Sequence, residues 1–268
     1  MDRLNLAGLE VALTTQHLGH PLVFLPSTGS TNDVAKELAA QGAPEGTVVA
    51  ADAQTTGRGR LGRRWSAPPG SSLLCSILFR PTLPLEQAPW LTMLCALALA
   101  DAVKQTTGLQ VALKWPNDVV VPSSTRTPSW RKLAGILTET EVTGEHLNIV
   151  IVGLGCNVNV APHHLADLAP NATSLLAEIG QPVERGELLA ALLARVEARY
   201  ARLRAGASPH AEWASRLATL GHAVEATTAT GSLTGVAEAV DEHGALLLRT
   251  PNGARHRLLS GDVTLARP

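Results

Sequence analysis

The chain has 268 residues, of which 45% are hydrophobic, enough to bury the core of one large domain or of a domain with a smaller companion. Its formal net charge is −1, so nothing in the overall balance favours nucleic acid or an anionic membrane as a partner. Cys75, Cys95 and Cys156 lie far apart and form no CxxC pair. This spacing argues against a zinc ribbon or a disulfide framework and favours a reducing cytoplasm.

The first half of the chain predicts strands that alternate with helices. Its N-terminal segment, MDRLNLAGLEVALTTQ, lacks an apolar core followed by small residues, so it does not read as a secretory signal. The longest apolar run, at 91–100, is too short to span a bilayer and predicts a buried helix. In chain order, the elements are a strand at 22–25, a helix that Ser30, Thr31 or Asn32 caps and Gly42 ends, strands at 47–54 and 72–80, and a helix at 89–107 that Gly108 ends.

The second half predicts a hairpin, a helical region and a separate β domain. The elements are a strand at 111–118 that enters a proline turn, an exposed loop at 122–129, strands at 131–142 and 146–159 joined through 143–145, helical signal from 173 to 220 that is clearest at 185–204, and short strands from His222. The short strands predict a closed barrel, because closure removes exposed strand edges. We therefore expect an α+β fold, with a mixed, largely antiparallel sheet flanked by helices in residues 1–221 and a small β-barrel in residues 222–268.

The arginine loop, residues 57–65 with the sequence GRGRLGRRW, is the most unusual stretch of the chain. Arginine forks grip carboxylate or phosphate oxygens in pairs, and glycines let backbone N–H groups approach a ligand closely. A solvated turn is the alternative interpretation, but solvation alone gives no reason for three glycines. The pattern favours an anion site, and GxxxxGK[ST] does not occur, so it is not a Walker loop.

A second group of polar residues follows in KWPND at 114–118, which combines a cation, an aromatic ring, a turn-forming proline and two hydrogen-bonding groups. Taken alone, it is equally consistent with a β-turn and a buried tryptophan. Lys132, in RKLAG at 131–135, begins the next predicted strand, where its ammonium group could face the same cavity.

GLGCNVN at 153–159 superficially resembles a dinucleotide fingerprint but lacks the third glycine. We interpret it instead as a strand end where glycines admit a flat ring and Asn157 hydrogen-bonds that ring. His163 and His164 belong to no HExxH motif, and we expect them at the surface.

Five motifs occur in one order: STND at 30–33, the arginine loop, KWPND, KLAG at 132–135 and GLGCNVN. Together they resemble the biotin protein ligases, also called biotin–[biotin carboxyl-carrier protein] ligases, from about residue 22 to the end. The resemblance implies a catalytic domain like that of class II aminoacyl-tRNA synthetases, followed by a small SH3-like barrel. It also implies a two-step reaction, in which ATP and biotin give biotinoyl-5′-AMP with Mg²⁺ and the acyl group passes to a lysine of a biotin carboxyl carrier domain.

The resemblance also assigns roles to residues, none of them a metal ligand. The catalytic group is Arg58, Arg60, Lys132 and Asp118. The biotin-binding group is Ser30, Thr31, Asn32, Gln54, Gly57, Arg58, Gly59, Arg60 and Lys132. The nucleotide-binding group is Arg58, Arg60, Trp65, Lys132 and Asn157, while Lys114, Trp115 and Asn117 lie on the carrier side or are structural. Asp118 either orients the carrier amine or helps to remove its proton, with a purely structural turn as the alternative.

The sequence departs from the family in two places. Only about twenty residues precede the first matching strand, too few for a winged helix-turn-helix, so we expect no operator binding. The basic residue that the family places near the C-terminus on the nucleotide side is either Arg267 or absent. Many members dimerise through a sheet edge, and a monomer is also compatible with this sequence.

Two rival functions are compatible with parts of the pattern. A lipoate or octanoyl ligase shares the architecture and differs in the acyl group. A non-catalytic nucleotide-binding or nucleic-acid-binding module would use the arginines on phosphates, but the low aromatic content and the single basic loop count against it.

Overall fold

The computed structural model describes residues 13–122, 130–144, 146–228 and 231–266. Most of the predicted exposed loop at 122–129 and the candidate nucleotide-side residue Arg267 lie outside the described residues. Among the helices described, none combines the length and apolarity needed to cross a bilayer.

A seven-stranded sheet forms the centre of the larger part of the molecule. Its strands are β1 (Leu22–Leu25), β2 (Val48–Ala51), β3 (Ser72–Phe79), β4 (Ala112–Lys114), β5 (Asp118–Pro122), β6 (Trp130–Thr143) and β7 (His146–Asn157). They lie in the order β1-β2-β3-β7-β6-β5-β4. Only the β1–β2 pair is parallel, which confirms the expectation of a mixed, largely antiparallel sheet. The hairpin between β6 and β7 is also confirmed, whereas β5 was not predicted.

Helices cover both faces of this sheet. They are α1 (Thr31–Ala40), α2 (Ala88–Thr107), α3 (Pro162–Leu168), α4 (Leu175–Ile179), α5 (Arg185–Arg204) and α6 (His210–Ser215). On β2, Val49 belongs to the smaller apolar cluster that contains Ala35 of α1, while Val48 belongs to the main core with α2 and α5. Because both faces are covered, β2 is apolar at every position rather than alternating.

The start of α1 supplies polar groups to the site described below. Ser30 occupies the predicted N-cap position, but its side chain accepts no capping hydrogen bond. The first backbone N–H of the helix, on Thr31, instead donates to Gln54 Oε1 at 2.7 Å. The side chain of Gln54, which lies between β2 and β3, therefore accepts from a backbone N–H that has no partner within the helix.

The C-terminal segment forms a five-stranded antiparallel sheet. Its strands are β8 (Ala223–Thr228), β9 (Gly231–Val240), β10 (Leu246–Arg249), β11 (Arg255–Leu258) and β12 (Asp262–Leu265), in the order β11-β10-β9-β8-β12. The five strands were predicted, but the predicted closure into a barrel is wrong, because β11 and β12 do not pair in the described sheet. β11 carries the exposed charges of Arg255 and Arg257, which protect a free edge, while β12 directs Asp262 towards the larger sheet.

Two tryptophans hold the two sheets together. Trp115 is completely buried and its Nε1 donates to the carbonyl oxygen of Gly244 at 2.8 Å. Trp90 Nε1 donates to the carbonyl oxygen of Glu242 at 2.9 Å. A domain boundary near residue 221 remains our proposal.

Candidate active site

A cavity of about 330 Å³ opens between the arginine loop, the start of α1, the sheet and β12. Of the residues that the sequence singled out, thirteen line it: Ser30, Thr31, Asn32, Gln54, Arg58, Gly59, Arg60, Trp65, Lys114, Asn117, Asp118, Lys132 and Asn157. Two others, Gly57 and Trp115, do not. Five separate motifs therefore converge on one volume.

One wall of the cavity is a chain of buried polar groups. Gln54 Oε1 accepts from the backbone N–H of Thr31 and lies 3.1 Å from the Thr31 hydroxyl. Ser76 Oγ lies 2.7 Å from that hydroxyl and 2.6 Å from Asn32 Oδ1. Ser76 is fully buried on β3, and the sequence did not identify it because a lone serine in an apolar strand carries no signal.

Arg58 and Arg60 occupy different electrostatic environments. Arg58 donates to Asp33 at 2.6 Å and to Glu139 at 3.0 Å. The hydrogen bond that Arg58 donates to Asp33 is the main reason that the pKa of Arg58 lies above its usual range. Arg60 donates instead to two neutral oxygens, Asn117 Oδ1 at 3.3 Å and the carbonyl of Gly261 at 3.4 Å. Burial lowers the pKa of Arg60 below its usual range, although a guanidinium group stays charged.

The other two arginines hold the loop itself. Arg63 pairs with Asp262 of β12 at 2.8 Å, and Arg64 Nη2 donates to the carbonyl oxygen of Thr55 at 3.0 Å. Leu61, directly after Arg60, has a left-handed backbone with φ 54°. The arginine loop is thus joined to the C-terminal sheet through Arg60 and Arg63.

Lysines and carboxylates alternate along the floor of the cavity. Lys132 Nζ lies 2.7 Å from Asp118 Oδ1, and Lys114 Nζ lies 3.9 Å from Asp118 and 3.8 Å from Asp262. Lys114 is 7% exposed, and burial lowers its pKa. For Asp262, burial alone would raise the pKa. The hydrogen bond from Arg63 and the charge of Lys114 outweigh it and hold the pKa below its usual value.

The glycines of GLGCNVN make room for two protein side chains. A Cβ on Gly155 would lie 2.5 Å from Cε2 of Trp65, and a Cβ on Gly153 would overlap the Asn32 amide. The indole of Trp65 therefore lies directly over β7, with Lys132 Nζ 5.8 Å from the ring centroid. The flat ring that the glycines admit in this structure is Trp65.

Several polar atoms in this region lack a protein partner. Asn157 donates through Nδ2 to the carbonyl oxygen of Thr173 at 3.0 Å. Within the described residues, Asn157 Oδ1 and Trp65 Nε1 are buried without a hydrogen-bond partner. Buried polar groups are normally satisfied, so both atoms are available to a ligand.

Gly57 and Trp115, which do not line the cavity, support it from behind. A Cβ on Gly57 would lie 2.5 Å from the carbonyl oxygen of Trp65, so glycine is needed for the loop to close on itself. Trp115 fixes the KWPND turn to the C-terminal sheet through Gly244. For Trp115 this is the structural alternative that the sequence left open.

Sequence reasoning gave no role to several polar residues of the site, among them Asp262, which lines the cavity, and Ser76 and Glu139, which bond to residues that line it. Asp262 accepts a hydrogen bond from Arg63, and Glu139 accepts one from Arg58. In each pair, the two residues lie more than 80 positions apart in the chain. No local motif marks such pairs, although a glycine before Asp262 indicated a turn. His163 and His164 are exposed as expected, and the described residues contain no group of three or more His, Cys, Asp or Glu that could hold a metal ion.

Comparison with known proteins identifies this architecture. Residues 24–157 match the biotin/lipoate A/B protein ligase family, and residues 219–265 match the biotin protein ligase C-terminal domain. The bifunctional ligase/repressor BirA of Bacillus subtilis is 35% identical over 98% of this chain and 79% of that protein. The biotin–[acetyl-CoA-carboxylase] ligase of Paracoccus denitrificans is 37% identical over 86% of this chain and 95% of its own. A solved structure, the biotin protein ligase from Aquifex aeolicus in complex with biotin and ATP, is 29% identical, with a TM-score of 0.73 over 92% of this chain and 99% of that one.

Proposed function

Because the chain belongs to the biotin protein ligase family, we propose that it activates biotin with ATP to biotinoyl-5′-AMP and transfers the biotinoyl group to one lysine of a biotin carboxyl carrier domain. The name of the Paracoccus relative and the ligands of the Aquifex structure support both substrates and a carboxylase as partner. The observation that carries the proposal is the convergence of Lys114, Lys132 and Arg60 on a cavity that also has a neutral polar wall.

In the first step, a carboxylate oxygen of biotin attacks the α-phosphorus of ATP, the bond to the β-phosphate breaks and pyrophosphate leaves. The two reacting groups are both anionic, so their mutual repulsion is the main barrier to bringing them together. Lys132 on β6 and Arg60 in the arginine loop both line the cavity and neutralise both groups. Mg²⁺, when bound, balances the remaining phosphate charge. Asp118 and Asp262 are already engaged by cations, so the phosphates are its expected ligands.

In the second step, the amine of the carrier lysine attacks the acyl carbon, the acyl–oxygen bond breaks and AMP leaves. The amine must lose a proton, and Asp118 is one of the two carboxylates, with Asp262, that line the floor of the cavity. It lies between Lys132 at 2.7 Å and Lys114 at 3.9 Å, a position suited to hold an incoming third ammonium group or to accept its proton. Asn117, beside it, ties the turn to Arg60.

The polar wall and the indole divide the cavity between the two substrates. We assign Ser30, Thr31, Asn32 and Gln54 to the ureido end of biotin, where buried donors and acceptors reject a ligand that cannot match them. The nucleotide packs against Trp65, and the unpaired Asn157 Oδ1 accepts a hydrogen bond from it. Gly59 and the adjacent backbone N–H groups cover the junction between the two.

ATP-dependent transfer of biotin to a purified carrier domain tests the proposal. We expect labelling of one carrier lysine with biotin but not with lipoate, and a loss of at least about 100-fold in Lys132→Met, since this removes a cation at the reacting groups. Lys104→Met is the matched control, because Lys104 is exposed in the last turn of α2 and does not line the cavity. No labelling by the unmodified protein, or a preference for lipoate, would refute the assignment.

The role of Asp118 is separable from activation. Asp118→Asn keeps the shape of the side chain and loses its charge, so we expect biotin-dependent pyrophosphate exchange to fall less than transfer to the carrier. An equal loss in both steps would show that Asp118 only holds Lys132 in place. The cytoplasmic location, the absence of operator binding and the choice between monomer and dimer stay predictions.

A further inference from the structure

Glu139, near the middle of β6, joins the two parts of the site that the arginine loop and α1 provide. Its Oε2 accepts from Asn32 Nδ2 at 2.6 Å and from Arg58 at 3.0 Å, and its Oε1 accepts from Lys36 at 2.6 Å. The side chain is 24% exposed and does not line the cavity. One carboxylate on β6 therefore contacts both α1 and the arginine loop without lining the cavity.

The first consequence is that Glu139 orients the amide of Asn32. A carboxylate only accepts hydrogen bonds, so the NH₂ group of Asn32 must face it. The second hydrogen of that group points to the carbonyl oxygen of Leu137 at 3.4 Å. Asn32 Oδ1 is consequently turned towards Ser76, 2.6 Å away.

The orientation of the Asn32 amide determines the hydrogen bond that its neighbour in the polar wall makes. An amide oxygen has no hydrogen to give, so the single hydroxyl hydrogen of Ser76 goes to Asn32. The Thr31 hydroxyl, 2.7 Å from Ser76 Oγ and 3.1 Å from Gln54 Oε1, then has its own hydrogen for one of these two acceptors. Gln54 Oε1 is held separately by the Thr31 backbone N–H, which leaves the Gln54 NH₂ group for the ligand. The direction of the Ser76 hydrogen bond thus depends on how Glu139 orients the Asn32 amide.

The second consequence is that the same carboxylate holds the arginine loop. Arg58 reaches Glu139 with Nη2 while its Nη1 reaches Asp33 at 2.6 Å. The start of the arginine loop and the polar wall are therefore both held by Glu139. Loss of this carboxylate would loosen the loop and release the wall together.

We infer that Glu139 is a positioning residue for biotin. It fixes the donor and acceptor pattern of the polar wall through Asn32, and it holds the arginine loop through Arg58. This inference rests on the proposed function. Its alternative is that Glu139 only balances the charge of Lys36. The two differ in what they predict for Lys36→Met, which removes that ion pair and leaves the contacts with Asn32 and Arg58.

The test compares Michaelis constants in biotin-dependent pyrophosphate exchange, which needs no carrier. Glu139→Gln keeps the shape but replaces a charged acceptor with an amide that can also donate. We expect it to raise the KM for biotin about fivefold, with the KM for ATP changed by less than about twofold. Lys36→Met and Glu141→Gln, a control on the exposed part of the same strand, should leave both constants within about twofold.

A double variant isolates the route through the wall. Ser76→Ala removes the next member, so Glu139→Gln should raise the KM for biotin less in that background than alone. Calorimetric titration of folded protein with biotin gives the same comparison for any variant too unstable for turnover. Equal KM values for Glu139→Gln and Glu141→Gln, or a biotin KM raised as much by Lys36→Met, would overturn the inference. Failure of the unmodified protein to use biotin would instead overturn the proposed function.

Discussion

Replacement of Arg60 by glycine tests whether the arginine loop retains the reactive adenylate. Arg60 makes the loop's contacts with both the KWPND turn and the C-terminal sheet, through Asn117 and Gly261. Biotinoyl-AMP is a mixed anhydride that water hydrolyses, so a covering loop protects it as well as binding it. Without the side chain of Arg60, the Arg63–Asp262 pair is the side-chain link that remains between the loop and the C-terminal sheet among the described residues.

The magnitude follows from the two hydrogen bonds that disappear. At 3.3 and 3.4 Å both are longer than a typical N–H···O bond, so we assign each about 1 kcal/mol, below the usual range for a charged donor. A loss of about 2 kcal/mol favours the open loop by about 30-fold. The escape of biotinoyl-AMP should rise by a similar factor if opening limits release.

The assay measures free biotinoyl-AMP by chromatography after enzyme, ATP and biotin are mixed without carrier. Arg64→Gly is the matched control, because it places a glycine in the same loop but removes only a bond to Thr55. Equal release by Arg60→Gly and the unmodified protein would refute the reasoning. Equal release by the two variants would attribute the effect to loop flexibility rather than to the contacts of Arg60.

Two further predictions concern packing and charge. Gly155→Ala places a methyl group 2.5 Å from the Trp65 ring, so it should weaken ATP binding and cost about 1–3 kcal/mol of stability, whereas Gly186→Ala, in open space, should do neither. Thermal unfolding and ATP titration measure both. Asp262→Asn removes a carboxylate whose pKa is lowered in the folded protein. The ionised carboxylate stabilises the fold fully above its unfolded-state pKa, and this stabilisation is lost as the pH falls through its folded-state pKa. The melting temperature of Asp262→Asn should be below that of the unmodified protein at pH 7 and converge with it in acid. A constant difference would contradict the pairing with Arg63.

The order of strands and helices could be predicted because local signals determine it. Gly108, with φ 75°, ends α2 where expected, and the apolar runs of β2 and β3 form the predicted neighbouring strands. The C-terminal strands followed from their turn residues in the same way. That this sheet stays open could not be predicted, because closure depends on whether β11 and β12 pair, and turn residues carry no information about that contact.

The partners of the site residues were not predictable for a related reason. GLGCNVN was expected to admit a flat ring, and the amino acid types were sufficient for that statement. That the ring is Trp65, and that Gly153 makes room for Asn32, depends on contacts between segments about 90 and 120 residues apart. Sequence motifs identify which residues belong to the site, whereas only the fold shows which of them face a ligand and which face one another.

The difference between Arg58 and Arg60 shows why this distinction matters for catalysis. The sequence placed both at the reacting carboxylate and phosphate. In the structure, two carboxylates balance the charge of Arg58, while Arg60 donates to neutral oxygens and keeps its charge uncompensated by any hydrogen-bonded acid. Asp118 and Asp262 act on Arg60 through their charge but without a hydrogen bond, so Arg60 is less closely paired than Arg58 and attracts an anion more strongly. For the proposed adenylation we therefore expect Arg60 to stabilise the developing charge and Arg58 to hold the loop in which Arg60 lies.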